Sequence, residues 1–151
     1  MISIFPNFIK IEKHEKICDC FILVFLFLMT FAQSTNTTLK LDYLPEYPSE
    51  IDGACCGYYL SQEDLKNDKL LIADDFIRAY MIINGKKEVL SIKQGSSKHE
   101  REFSNASYTL TITISEQTEQ GYESLALKGT IKIQNTKGES KSFPFVGKCE
   151  W

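Results

Sequence analysis

The chain has 151 residues, with 20 acidic side chains against 17 lysines and arginines, a net charge of −3 and 43% hydrophobic residues. Its charges are interspersed and form no basic stripe, which excludes a surface built to follow phosphate backbones. The length suits one domain with a modest core once an N-terminal segment is set aside.

That segment is residues 1–32, which read as a secretory signal peptide. Lys10, Lys13 and Lys16 approach an unbroken apolar run, Phe21 to Met29, although Glu12, Glu15 and Asp19 dilute their charge. Thr30-Phe31-Ala32 then places small residues where a signal peptidase reads them. The run is short against the ~20 residues of a transmembrane helix, so cleavage is expected to leave no stable membrane span. The expected product is secreted or periplasmic, and the three basic and three acidic side chains removed leave its net charge unchanged.

Cysteine placement agrees with an oxidising compartment. Cys18 and Cys20 leave with the leader, and Cys55, Cys56 and Cys149 bracket what remains. A bridge from Cys149 to either Cys55 or Cys56 would tie the two edges of the domain together, worth up to about 4–5 kcal/mol in the chain-entropy picture. Spacing does not choose between the two partners, and one thiol is left over.

Residues 33–50 read as a linker or arm. Pro45 and Pro48 oppose helix, while Leu41, Tyr43, Leu44 and Tyr47 are apolar enough to lie along a domain surface. Residues 51–151 then read as a β domain. Gly57 to Leu60 is a short strand. Ser61 can cap a helical turn through Lys66, with Asp64 three residues on. Leu70 to Ala73 is a buried strand ending at Asp74-Asp75. The firmest element is the hairpin between Ile77 and Lys93. Its Asn84-Gly85 dipeptide supplies the two positive φ angles of a type I′ turn.

Gly95 to Arg101 reads as a polar loop with projecting cations. Tyr108, Leu110, Ile112 and Ile114 alternate with threonines, the period of a strand with one dry and one wet face. Leu125, Leu127, Ile131 and Ile133 share one parity from Tyr122 to Gln134, and Gly129 among them marks a bulge or bend. Ser140 to Val146 returns with Phe143 and Phe145 on one face, and Pro144 argues for an edge. The fold class is therefore all-β: an antiparallel barrel or sandwich of seven to eight strands. Asn36-Thr37-Thr38 and Asn105-Ala106-Ser107 match glycosylation acceptors.

Chemistry-bearing patterns are sparse. One histidine, His99, lies beyond the leader, there is no Cys-x-x-Cys, and Asp74-Asp75 lacks the spacing of a calcium loop, so neither metal nor cofactor is expected. A nucleophilic arrangement would need Cys55 or Cys56 to meet His99 and a carboxylate such as Asp52 or Glu100, and nothing in the spacing brings them together. The expectation is a non-catalytic module that binds a protein partner. Ser96, Ser97, Lys98 and Arg101 are its candidate contacts, with tyrosines and Trp151 as amphipathic rings of the kind interfaces favour.

Cys55 or Cys56 with Cys149, the Asn-Gly-Lys hairpin and the following Gly95-Ser96-Ser97-Lys98 loop resemble the layout of the secreted bacterial inhibitors of C-type lysozyme. More broadly, the chain resembles small secreted β-rich proteins of Gram-negative bacteria. The inhibitor resemblance implies a small β-barrel with a disulfide between an early strand and the C-terminal end. It also implies that Ser96, Ser97 and Lys98 enter a lysozyme cleft. The family's Ser-Gly pattern before an aromatic and its second basic loop are not reproduced here. The alternative expectation is an envelope component that associates through an edge strand or the unpaired cysteine.

Overall fold

The computed structural model describes residues 39–151. The expected leader, the start of the arm, Cys18, Cys20 and Asn36 lie outside them.

Among the described residues, nine strands and one helix follow in order: β1 (Leu41–Asp42), β2 (Cys55–Tyr59), α1 (Gln62–Lys66), β3 (Ile72–Asp74), β4 (Arg78–Ile83), β5 (Lys86–Ile92), β6 (Glu100–Ser104), β7 (Tyr108–Glu119), β8 (Ser124–Asn135) and β9 (Ser140–Glu150). Every pairing is antiparallel. The sheet runs β4-β3-β2-β9-β8-β7-β6-β5 and closes through β4–β5, giving an eight-stranded barrel rather than a sandwich. β1 is an addition: it pairs with β4 at Ile82 and Ile83, beyond the β3 pairing, which starts with Ile72 opposite Met81.

Local chemistry explains the elements. Asn84 and Gly85 take φ of 51° and 77°, and the β4–β5 hairpin closes around them. Ser61 caps α1 by accepting the Asp64 amide at 3.1 Å. Opposite Gly129 the β7 register slips between Ile114 and Glu116. A Cβ at Gly129 would stand 1.9 Å from the Thr113 carbonyl oxygen, so only glycine lets β7 fold this closely over β8. Pro144 lies in the part of β9 that pairs with β8 alone, because the β2 pairing begins at Val146.

The alternating residues of the long strands fill the barrel. Tyr58, Ile72, Met81, Leu90, Phe103, Leu110, Ile112, Ile131 and Phe145 are buried in one continuous cluster. A second cluster lies outside the wall, where Leu44 of the arm covers Tyr59, Leu70 and Ala73. There the Leu44 amide donates to the Leu70 carbonyl at 2.8 Å, and Glu50 pairs with Lys87 at 2.6 Å.

Two strands escaped the sequence pattern: β1, within the stretch read as a linker or arm, and β6. Glu100 to Ser104 is β6, a wall of the barrel, and its inward positions are Arg101 and Phe103. An arginine at an inward position breaks the apolar alternation by which a strand is recognised.

Candidate functional site: the mouth of the barrel

Antiparallel order sends the starts of β2, β4, β6 and β8 and the ends of β3, β5, β7 and β9 to the same end of the barrel. The β3–β4 turn and the β5–β6 loop meet there, since the Ile92 amide donates to the Ile77 carbonyl at 2.8 Å. This end holds the candidate contact loop, the disulfide and a buried charge network.

The loop from Lys93 to His99 is held by its own hydrogen bonds. The Lys93 amide donates to the Glu102 carbonyl, and the Ser97 amide to the Glu100 carbonyl, both at 2.7 Å. Ser96 Oγ donates to the Lys93 carbonyl at 3.0 Å and accepts the Glu102 amide at 3.1 Å. Ser97 Oγ accepts the amides of His99 and Glu100 at 3.3 and 3.0 Å. Ser96 is half-buried with its hydroxyl committed both ways, whereas Ser97, Lys98 and His99 are exposed. Lys98 has no ion-pair partner among the described residues.

Arg101 is not a loop cation. It stands on β6, retains only 8% of its surface and points into the barrel. Its Nη1 donates to both oxygens of Asp74 at 3.1 and 3.0 Å, to Tyr58 Oη at 3.0 Å and to Cys56 Sγ at 3.3 Å. Tyr58 Oη in turn donates to Asp74 Oδ2, and the Phe76 amide to Asp74 Oδ1 at 3.0 Å. The Phe76 ring stacks over the guanidinium, with Cζ 4.7 Å from the ring centre. Asp74, where the sequence places the end of the Leu70 to Ala73 strand, is itself fully buried.

Electrostatics follow from this burial. Loss of water pushes the Asp74 carboxyl up, against the opposing pull of Arg101, Tyr58 and the Phe76 amide. Burial, then the neighbouring carboxylate, holds the Tyr58 phenol well above its ordinary range, so it stays a donor. Asp75, beside it on the turn, behaves differently. Burial raises its carboxyl, but the Arg78 and Ile77 amides and the Arg78 guanidinium outweigh that and leave it below the usual range.

Strand alternation settles the disulfide. Cys56 shares the inward face of β2 with Tyr58 and lies directly across from Cys149 on β9, and these two are bridged. Cys55 faces the outer wall opposite Glu150 and remains a free, half-exposed thiol. It lines a shallow groove of about 250 Å³ with Tyr47, Tyr59, Asp68 and Lys148. Burial and then Asp68 push the Tyr59 phenol up to about 12. His99 does not line that groove. Among the described residues, no three His, Cys, Asp or Glu side chains gather as a metal site. No helix there is long and apolar enough to cross a membrane.

The Asn105 acceptor triplet serves the backbone. Asn105 Nδ2 donates to Glu88 at 2.9 Å, and its Oδ1 accepts the Ser107 and Tyr108 amides, each at 2.9 Å. The side chain that a glycan would need is building the β6–β7 turn.

These features define a closed antiparallel barrel whose mouth is tied by one disulfide and floored by a buried arginine–aspartate pair. No protein-family model, curated protein or solved structure matches the chain.

Proposed function

We propose that the protein is a secreted or periplasmic binding module, without catalysis, that engages a protein partner through the loop at the barrel mouth and inhibits a hydrolase such as C-type lysozyme. The observation that carries this reading is the state of the loop: hydrogen bonds fix the backbone around Ser97 and Lys98 while both residues stay exposed. A fixed loop loses little conformational entropy on docking, and that loss is a main cost of association. Ile77, 65% exposed on the adjoining turn, adds apolar contact area beside it. The Cys56–Cys149 bridge supports an oxidising compartment. Of the four contacts expected from sequence, Ser97 and Lys98 remain; Ser96 serves the loop and Arg101 the interior.

The test is lysis of cell-wall substrate by C-type lysozyme with micromolar purified protein. Wild type is expected to slow lysis, and Lys98→Ala to relieve the inhibition at least tenfold with thermal stability unchanged. Lysis at full rate in the presence of wild type would remove the lysozyme reading, and equal inhibition by Lys98→Ala would remove the loop.

A further inference from the structure

The guanidinium of Arg101 uses its donors unevenly. All of its oxygen acceptors, both carboxylate oxygens of Asp74 and the Tyr58 hydroxyl, are served by Nη1. Among the described residues, Nη2 reaches only the Cys149 sulfur, at 4.0 Å, and Nε donates to nothing. The Arg101 side chain keeps 10% of its surface open to solvent. Nε and Nη2 form the side edge of the guanidinium, the fork whose two parallel N–H bonds match a carboxylate.

The surroundings hold this edge in place. Asp74 anchors the other side, Phe76 lies over the flat face, and Ile112, the β7 partner of Arg101, packs in the core beside it. Phe76 takes φ of 66°, a left-handed conformation that a bulky aromatic residue adopts only when its surroundings impose it. The imposing contact is the Asp74 Oδ1 bond to the Phe76 amide. The carboxylate that fixes the arginine therefore also fixes the ring that covers it. Phe76 is still 37% exposed, so the ring is a cover at the surface and not a core residue.

The geometry points to a carboxylate-binding site in the barrel mouth, formed by the Nε–Nη2 edge of Arg101 beneath Phe76. Its ligand is a single carboxylate, carried by a small free acid or by an acidic side chain. The charge of Asp74 is met through Nη1, on the far side of the guanidinium. Lys98, three residues upstream, adds positive charge at the same end of the barrel. This site is distinct from the exposed loop contacts of Ser97 and Lys98, and the lysis assay does not bear on it.

The experiment follows the Arg101 Nε–H resonance of the disulfide-bonded protein during titration with sodium acetate, with sodium chloride at equal ionic strength as the reference. A saturable shift with acetate alone is expected, with an affinity on the order of millimolar, as suits one charge-assisted fork. Phe76→Ala, which keeps the arginine and uncovers it, is expected to tighten acetate binding severalfold. Arg101→Lys keeps the charge and loses the fork, and is expected to weaken acetate binding about tenfold, read at the Phe76 ring resonances. If that variant does not fold, the wild-type and Phe76→Ala titrations decide alone. A capped Gly-Asp-Gly peptide distinguishes the sources: a matching shift assigns the site to acidic side chains, and acetate binding without it assigns it to small free acids. A linear shift equal to that with chloride, in both wild type and Phe76→Ala, would overturn the site.

Discussion

Arg101→Ala tests the interior network and separates it from the surface loop. The substitution strands Asp74, which has no exposed surface, with only the Tyr58 hydroxyl and the Phe76 amide as donors. Removing one partner of a buried ion pair typically costs about 3–5 kcal/mol. The carboxyl has an escape, because it can take up a proton. From an ordinary pKa of ~3.9, protonation at pH 7 costs about 4 kcal/mol, which caps the electrostatic loss. Loss of the stacking on Phe76 adds roughly 0.5–1 kcal/mol. The expected destabilisation at pH 7 is therefore about 3–5 kcal/mol, or roughly 12–20 °C in Tm for a domain of this size.

The escape route also fixes the sign of the pH dependence. In the variant the folded pKa of Asp74 lies above its unfolded value, so stability lost at neutral pH returns as pH falls from the folded pKa toward the unfolded one. The deficit should shrink to about 1–2 kcal/mol at pH 4.5, where protonation costs about 1 kcal/mol. Urea denaturation of the oxidised protein at the two pH values, followed by circular dichroism, reads both numbers. Pairing Arg101→Met with Asp74→Leu should restore more stability than either change alone, because no buried charge is then left unpaired. A loss below about 1 kcal/mol at pH 7, or the same loss at pH 4.5, would refute the reasoning.

Two further changes probe other parts of the fold. Gly129→Ala drives a methyl group into the Thr113 carbonyl and should cost about 2–3 kcal/mol in denaturant midpoints; a change within about 0.5 kcal/mol would mean that the bulge is not sterically set. Asp75→Asn should destabilise at pH 7 by about 1–2 kcal/mol, through the lost charge on its bonds to the Ile77 and Arg78 amides and the Arg78 side chain. Its folded pKa is lowered, so this contribution is fully present above the unfolded pKa of about 3.9 and is lost as pH falls through the folded value below it. Wild type and variant should therefore converge only at the acid end of a pH series, and convergence at pH 5 would contradict the assignment.

What could be read in advance was whatever rests on one residue or its near neighbours. Asn84-Gly85 specified its turn because two positive φ angles are a local steric demand. Gly129 announced its irregularity because a missing side chain within an apolar parity needs a packing reason, and Tyr108 to Ile114 showed its buried face by period alone. The contact loop was legible as polar and exposed. The hydrogen bonds that make Ser96 a structural residue were not, since they depend on the partner backbone of β6.

Sequence alone determined an all-β chain with cysteines at both ends of its domain, since alternation and turn chemistry are local. Only the tertiary structure decided that the sheet closes into a barrel, because the hairpins join sequential neighbours and closure needs β2 to pair with β9, 93 residues apart at Cys56 and Cys149. Register chose Cys56 over Cys55: neighbouring residues in a strand face opposite sides, and the face is known only once the barrel is closed. Arg101 changed most, from loop cation to barrel floor, because its partner Asp74 lies 27 residues away on a strand that does not pair with its own. A charge can occupy an inward position only where another element brings the opposite charge to meet it.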